Sequence, residues 1–329
     1  MKVFKKILCL GMTLMILTSG LVACSSVKKI KSTKEEARVV GSCAGYDVRF
    51  EELRYLAYVC GEEMKAEYGE DIFTGSARDT YEQELWTRVE NMLCQSYAIL
   101  DICEDAGVKR SNRLTKNEVQ GEIEALVEVY GGTDGYRAYL ESEHMTDAVC
   151  RLYTAIVSCQ YRYYDEVAFD EIEREAYDLV LAHEGFVRTM SIFVKNDVGE
   201  NVEKNRAAAE YVRAEVLGGK PLESFIGTKY NQDMSNCEYY FPKGYMEDAY
   251  ESAAFALAVG EVSEVVETEE GFYIIQRLAP DEAYFETHME TLIEMYIVGK
   301  INLNFEAHAK TLSFAPNEYG KSLVLCELN

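Results

Sequence analysis

The chain lacks the short motifs on which most hydrolytic, nucleotide-dependent and metal chemistry depends. It has no HExxH, no GxSxG, no CxxC pair and no glycine-rich phosphate loop after a strand. Histidine is scarce, with only His144, His183, His288 and His308 in 329 residues. Basic residues are few, 33 Lys and Arg against 57 Asp and Glu, for a formal net charge of −24. Such a field repels phosphate backbones. It argues against nucleic acid as a partner and against a second, electrostatic contact with an anionic membrane. Internal repeats and low-complexity tracts are absent, and 48% hydrophobic residues is too rich for a disordered chain.

Long apolar runs are also missing, with one exception at the start. Lys2, Lys5 and Lys6 precede an almost wholly apolar stretch over 7–23, the pattern of a secretory signal. The stretch ends Leu21-Val22-Ala23-Cys24. A small residue before a cysteine permits cleavage once the thiol is acylated, so residues 1–23 read as a lipoprotein signal and Cys24 as the lipidated residue. An uncleaved anchor is the alternative, but 17 residues is at the short edge of what spans a bilayer. The remaining 306 residues carry a charge of about −27 and suffice for two domains. Eight further cysteines, from Cys43 to Cys326, are compatible with a disulfide framework outside the cytoplasm or with buried free thiols. Cys94 and Cys103, like Cys150 and Cys159, are nine apart, which puts them on opposite faces of a helix rather than in metal pairs.

Residues 24–37 lack apolar periodicity and read as a flexible tether. A strand-like run at 38–41 and a helix from about Phe50 follow. Leu85, Val89, Met92, Tyr97 and Leu100 form a helical stripe. Thr115-Lys116-Asn117-Glu118 has capping-box spacing for a helix whose stripe is Val119, Ile123, Leu126 and Tyr130 and which stops at Gly131-Gly132. Another helix runs from Ala148 through Tyr153 and Ile156 to about Ala168. Near residue 186 the period changes to short β-rich segments: a strand at 187–194, a helix at 203–217 and a strand at 272–278. Helical spacing returns over 284–312, with Leu292, Met295, Ile301 and Phe305 apolar. The fold class is therefore α+β. A helical domain of 38–182, completed by 281–329, is interrupted by an inserted domain at 183–280.

The inserted stretch carries a series of anchors: Val187-Arg188-Thr189-Met190-Ser191-Ile192-Phe193-Val194-Lys195, Gly218-Gly219-Lys220-Pro221-Leu222-Glu223-Ser224-Phe225, Phe241-Pro242-Lys243-Gly244-Tyr245-Met246, Ala253-Ala254-Phe255-Ala256-Leu257, Gly260-Glu261-Val262-Ser263 and Gly271-Phe272-Tyr273-Ile274-Ile275. In order and spacing it resembles the parvulin family of peptidyl-prolyl isomerases. With the lipoprotein signal and the helical arms, the whole chain is similar to the PrsA/SurA-like extracytoplasmic foldases, with a helical chaperone-like domain around the isomerase.

The resemblance implies a β-α-α-β-α-β-β isomerase domain needing no metal and no cofactor. Its substrate pocket is placed at Met246, Tyr250 (in place of the family's Phe) and Phe241. Asp233 falls at the family's Cys/Asp position. The two family histidines are replaced by Ser191 and Tyr273, so that hydroxyls of Ser191 and Tyr273 with Asp233 stand for an imidazole network. Implied partners are unfolded or newly secreted polypeptides with X-Pro segments, and the membrane through the lipid. A homodimer is compatible with the family. A holdase that binds clients without isomerising them is the alternative. A solute-binding lipoprotein is disfavoured because repeated strand-helix units are absent.

Each of these residues also has a plain role. Met246, Phe241 and Tyr250 serve equally as core residues, Asp233 as a turn residue and Tyr273 as a sheet residue. Cys237 reads as an inert thiol and His183 as structural.

Overall fold

The computed structural model describes residues 27–196, 202–231, 237–268 and 270–328, so the signal segment and Cys24 lie outside the described residues. The described residues form two compact units, one of 27–167 with 304–328 and one within 168–303.

The first unit opens with a hairpin, β1 (Val39–Cys43) and β2 (Tyr46–Arg49). Ala44 and Gly45 in its turn both take positive φ, 50° and 79°, as a tight hairpin requires. A C-terminal strand, β7 (Phe314–Pro316), adds to the other edge of β1 and gives a three-stranded antiparallel sheet. Gly41 makes that pairing possible: a Cβ there would meet the Phe314 ring at 2.5 Å and the Ala315 carbonyl oxygen at 2.6 Å. Helices α1 (Phe50–Tyr68), α2 (Arg78–Asp105), α3 (Arg113–Val129), α4 (Thr133–Ser142) and α5 (Asp147–Tyr163) bury Leu53, Leu85, Val89, Tyr97, Tyr153 and Ile156.

Local details differ from the sequence expectation. Thr115 is inside α3 rather than at its cap, because the helix starts after Asn112. The Thr115 hydroxyl donates to the Lys109 carbonyl at 3.1 Å. The buried row of α3 is Val119, Ile123 and Val127, a four-residue repeat. Tyr130 lies beyond the helix and stacks on Tyr139 at 4.2 Å. The helix expected to reach Ala168, α5, ends at Tyr163 and is followed by a π turn at Tyr164–Ala168.

The expected flexible tether is, from Val27 onward, part of the folded unit. Gln120 Nε2 donates to the Val27 carbonyl and the Ile30 amide donates to Asp147 Oδ2, both at 3.2 Å. Ser32 Oγ donates to Glu51 Oε2 at 2.6 Å.

The second unit contains α6 (Phe169–Leu181), β3 (Phe186–Lys195), α7 (Val202–Leu217), a 3₁₀ turn (Leu222–Phe225), β4 (Glu238–Pro242), α8 (Asp248–Ala256), β5 (Val266–Thr268), β6 (Gly271–Leu278), α9 (Glu282–Thr287) and α10 (Met289–Ala309), the last of these as far as Leu303. All strand pairs in its β4-β3-β6-β5 sheet are antiparallel. The period-two alternation of β3 separates two cores. Ile192 and Val194 join Ala209, Val212 and Phe225 on one face, and Val187 joins Phe241, Tyr250 and Ile275 on the other. The second helix of the β-α-α-β-α-β-β order is a single 3₁₀ turn.

This unit reaches past 183–280 at both ends because its flanks pack on it. Lys300 Nζ and the Tyr296 hydroxyl both bind Glu175, at 2.6 and 2.8 Å, and Phe285 stacks on His183 and meets Tyr240 edge-on. The long C-terminal helix is broken at His288. All eight cysteines from Cys43 to Cys326 are free thiols, including Cys43 and Cys94 with sulfurs 3.9 Å apart.

Candidate functional site

Asp233 lies outside the described residues. The other five predicted residues come together on the α8 face of the second unit's sheet. Ser191 of β3 registers with Ile275 of β6 and Tyr273 with Phe193, so Ser191 and Tyr273 are diagonal neighbours on one face. Tyr250 descends on them from α8. Its ring meets Tyr273 edge-on at 5.0 Å, Phe241 at 5.7 Å and Tyr239 at 6.4 Å. Its hydroxyl is 2.9 Å from that of Thr189, one step along β3 on the same face.

The floor of the site is sealed. Ser191 and Phe241 are 0% exposed and Tyr250 is 2% exposed, whereas Met246 and Tyr273 are half-buried and form its surface. Burial pushes the Tyr250 phenol up to about 12, against the opposing pull of the Ser191 and Thr189 hydroxyls, so Tyr250 is neutral near pH 7. Burial likewise raises Tyr273, keeping its hydroxyl a proton donor. Ser191 Oγ has no hydrogen bond of good geometry among the described residues, a buried polar atom in the middle of the site.

Met246 sits at the end of a turn fixed from two sides. The Glu251 carboxylate, in the first turn of α8, accepts from the backbone amides of Gly244, Tyr245 and Met246 at 2.9, 3.1 and 3.3 Å. From α10, Asn302 Nδ2 donates to the Gly244 carbonyl at 2.9 Å. Gly244 has φ 79°, and a Cβ there would meet the Gly299 carbonyl oxygen at 2.2 Å, so glycine at both positions permits backbone-to-backbone contact. Asn231 closes the opposite side. It is 1% exposed, accepts from the Phe193 amide at 2.9 Å and donates to Cys237 Sγ at 3.1 Å.

Sequence reasoning missed Glu251, Asn302 and Asn231. An acidic residue opening a helix directly after a glycine turn was the available signal for Glu251; the other two act through contacts that sequence spacing does not reveal. Cys237 is buried and its thiol is raised by that burial, consistent with an inert role.

Residues 226–279 match the rotamase family described as the PPIC-type PPIase domain. The matched residues lie within the inserted stretch, and that part of it is of the PPIC, or parvulin, type. The chain is 24% identical over 209 residues to the foldase protein PrsA of Staphylococcus aureus strain Newman, covering 60% of this chain and 62% of the relative. It thus spans about 62% of the length of the curated relatives it matches. Among solved structures, PrsA of Streptococcus pneumoniae aligns over 86% of this chain and 92% of its own at 16% identity, with a TM-score of 0.36. PrsA of Bacillus subtilis aligns over 84% and 91% at 18% identity, with a TM-score of 0.27. The parvulin domain places Met246 and Tyr273 over an aromatic floor. It offers an apolar platform with the protonated Tyr273 hydroxyl at its surface, a group that can donate a hydrogen bond.

Proposed function

We propose that this chain is an extracytoplasmic foldase that binds exported polypeptides and catalyses cis-trans isomerisation of their X-Pro bonds, held to the outer membrane face by a lipid on Cys24. The observation that carries the enzymatic part is the half-buried pair Met246 and Tyr273 above the Thr189 and Tyr250 hydroxyl pair. Rotation about an X-Pro amide faces a barrier of about 18–20 kcal/mol because the twist destroys amide resonance. Met246 offers the proline ring an apolar seat. Twisting leaves a lone pair on the amide nitrogen, and the Tyr273 hydroxyl, without a hydrogen bond to any described residue, is the donor that meets it. Tyr250 holds Tyr273 edge-on, and its own bond to Thr189 fixes the ring.

The holdase reading is favoured by Ser191 and Tyr273 standing where the family has histidines. A protease-coupled prolyl isomerisation assay on the chain separates the two. Acceleration that falls about tenfold in Tyr273→Phe, the worth of one hydrogen bond of roughly 1.4 kcal/mol, supports catalysis. A rate equal to the uncatalysed one, with suppression of client aggregation retained, replaces it with the holdase.

A further inference from the structure

The first unit holds a cavity of about 890 Å³ between the β1–β2 hairpin and the helices α1, α2, α3 and α5. In a chain of formal charge −24, its lining carries five cations, Lys29, Arg49, Arg110, Lys116 and Arg151, against three carboxyls. One of the three, Glu52, is fully buried and receives the Tyr97 hydroxyl at 2.9 Å. Arg49, Arg110 and Arg151 pair with Glu51, Glu104 and Asp147 at 3.9, 3.5 and 2.8 Å, so the cationic character of the lining rests on its two lysines. Lys29 and Lys116 are exposed and form no ion pair among the described residues. Deeper in, Arg151 is 8% exposed. Its Nε donates to Asp147 at 2.8 Å and its Nη1 to Gln120 at 3.0 Å, but its buried Nη2 has no hydrogen-bond partner among the described residues. A buried guanidinium nitrogen left unsatisfied is costly unless a ligand completes it.

The placement of the N-terminal segment identifies the ligand's source. Val27, Ile30 and Ser32 are hydrogen-bonded to the cavity's own elements, at Gln120, Asp147 and Glu51, and Lys29 lines its mouth. Lys29 is five residues after Cys24, at most about 18 Å of extended chain. With a lipid on Cys24, the mouth lies close to the headgroup layer, where a cationic lining gains from anionic phospholipid.

We propose that this cavity binds the phosphate-bearing headgroup of an anionic phospholipid in the membrane that holds the chain. The proposal rests on the lipid-anchor reading above. Overall charge does not exclude it, since exposed charges beyond roughly 10 Å are screened at ordinary salt and the lining decides.

The test uses the full lipidated chain reconstituted in vesicles of phosphatidylcholine alone or with phosphatidylglycerol, read by amide hydrogen exchange. Retention on phosphatidylcholine vesicles, and its loss in Cys24→Ala, reads the anchor alone. Slower exchange over 27–33 and at the start of α3 only with phosphatidylglycerol, lost in a Lys29→Glu and Lys116→Glu double variant that stays on the vesicles, supports the headgroup site. Identical exchange in both compositions overturns it. Equal slowing on phosphatidylcholine vesicles with glycerol 3-phosphate in solution also overturns it, in favour of a soluble phosphate ester.

Discussion

At the scale of single residues, this protein keeps several polar groups in dry places, and each makes a measurable demand. Glu52 is fully buried, and its carboxyl is raised by that burial to about 7 in spite of hydrogen bonds from Tyr97 and Tyr153. The unfolded chain gives up this proton near pH 4.5 while the folded chain keeps it to about 7. The cost of burying the charge is therefore absent below the lower value, grows between the two and is complete above about 7, amounting to about 3 kcal/mol. Glu52→Gln, which carries no charge, is expected to match the parent's melting temperature near pH 4.5 and to exceed it increasingly up to pH 7, with a constant gap above. A gap that does not vary with pH would refute the burial argument.

Tyr250→Phe leaves Thr189 Oγ1 without its partner inside the sheet. A loss of about 1–3 kcal/mol in urea unfolding is expected, with the larger end reporting that no water enters. The thiols give a third residue-scale test. Seven of the eight are buried, and burial pushes Cys43 and Cys60 up to about 12. Native protein should react with a thiol reagent quickly at the half-exposed Cys326 and at the others only on unfolding.

At the scale of elements, the turn before α8 is where the local sequence and the long-range structure meet. Three amides of 244–246 converge on Glu251, which also stands in the first turn of α8, where a negative charge is favoured. Glu251→Ala should free the turn that presents Met246. The expected result is a rise in KM for a prolyl peptide with a far smaller change in kcat, measured alongside the melting temperature to separate presentation from unfolding. Gly299→Ala probes the other side of the same turn. Its Cβ would lie 2.2 Å from the Lys243 carbonyl oxygen, so either the turn or α10 must shift. Element identities were largely legible in the sequence: β3, α7 and β6 were found within a residue or two because their periods are unambiguous. The α3 cap and the break at His288 were not. Both depend on where a helix can still bury a face rather than on local propensity.

At the scale of the molecule, the first unit is completed by residues from the far end of the sequence. β7 pairs with β1, Phe314 stacks against Trp86 at 6.4 Å, and His308 Nε2 lies 2.7 Å from Asp101. A chain ending after residue 309 would leave the β1 edge and Trp86 uncovered. Its near-ultraviolet circular dichroism and its melting should show loss of the first unit's packing, and an unchanged spectrum would contradict the discontinuous arrangement.

Strand alternation put Ser191, Tyr273 and Phe241 on one face of their strands, and the pairing of β3 with β4 and β6 and the packing of α8 then gathered them with Tyr250 and Met246. Net charge, signal pattern and element order are likewise properties of the chain read in one dimension. The tertiary structure alone decided that Phe241 and Tyr250 are sealed while Met246 and Tyr273 are only half-buried. It also showed that Asn231, Glu251 and Asn302 hold the site, that the segment from Val27 is docked, and that a cationic cavity exists in an acidic protein. These depend on which side chains exclude water from one another across distances in sequence from 5 to 117 residues, and local spacing has no access to that.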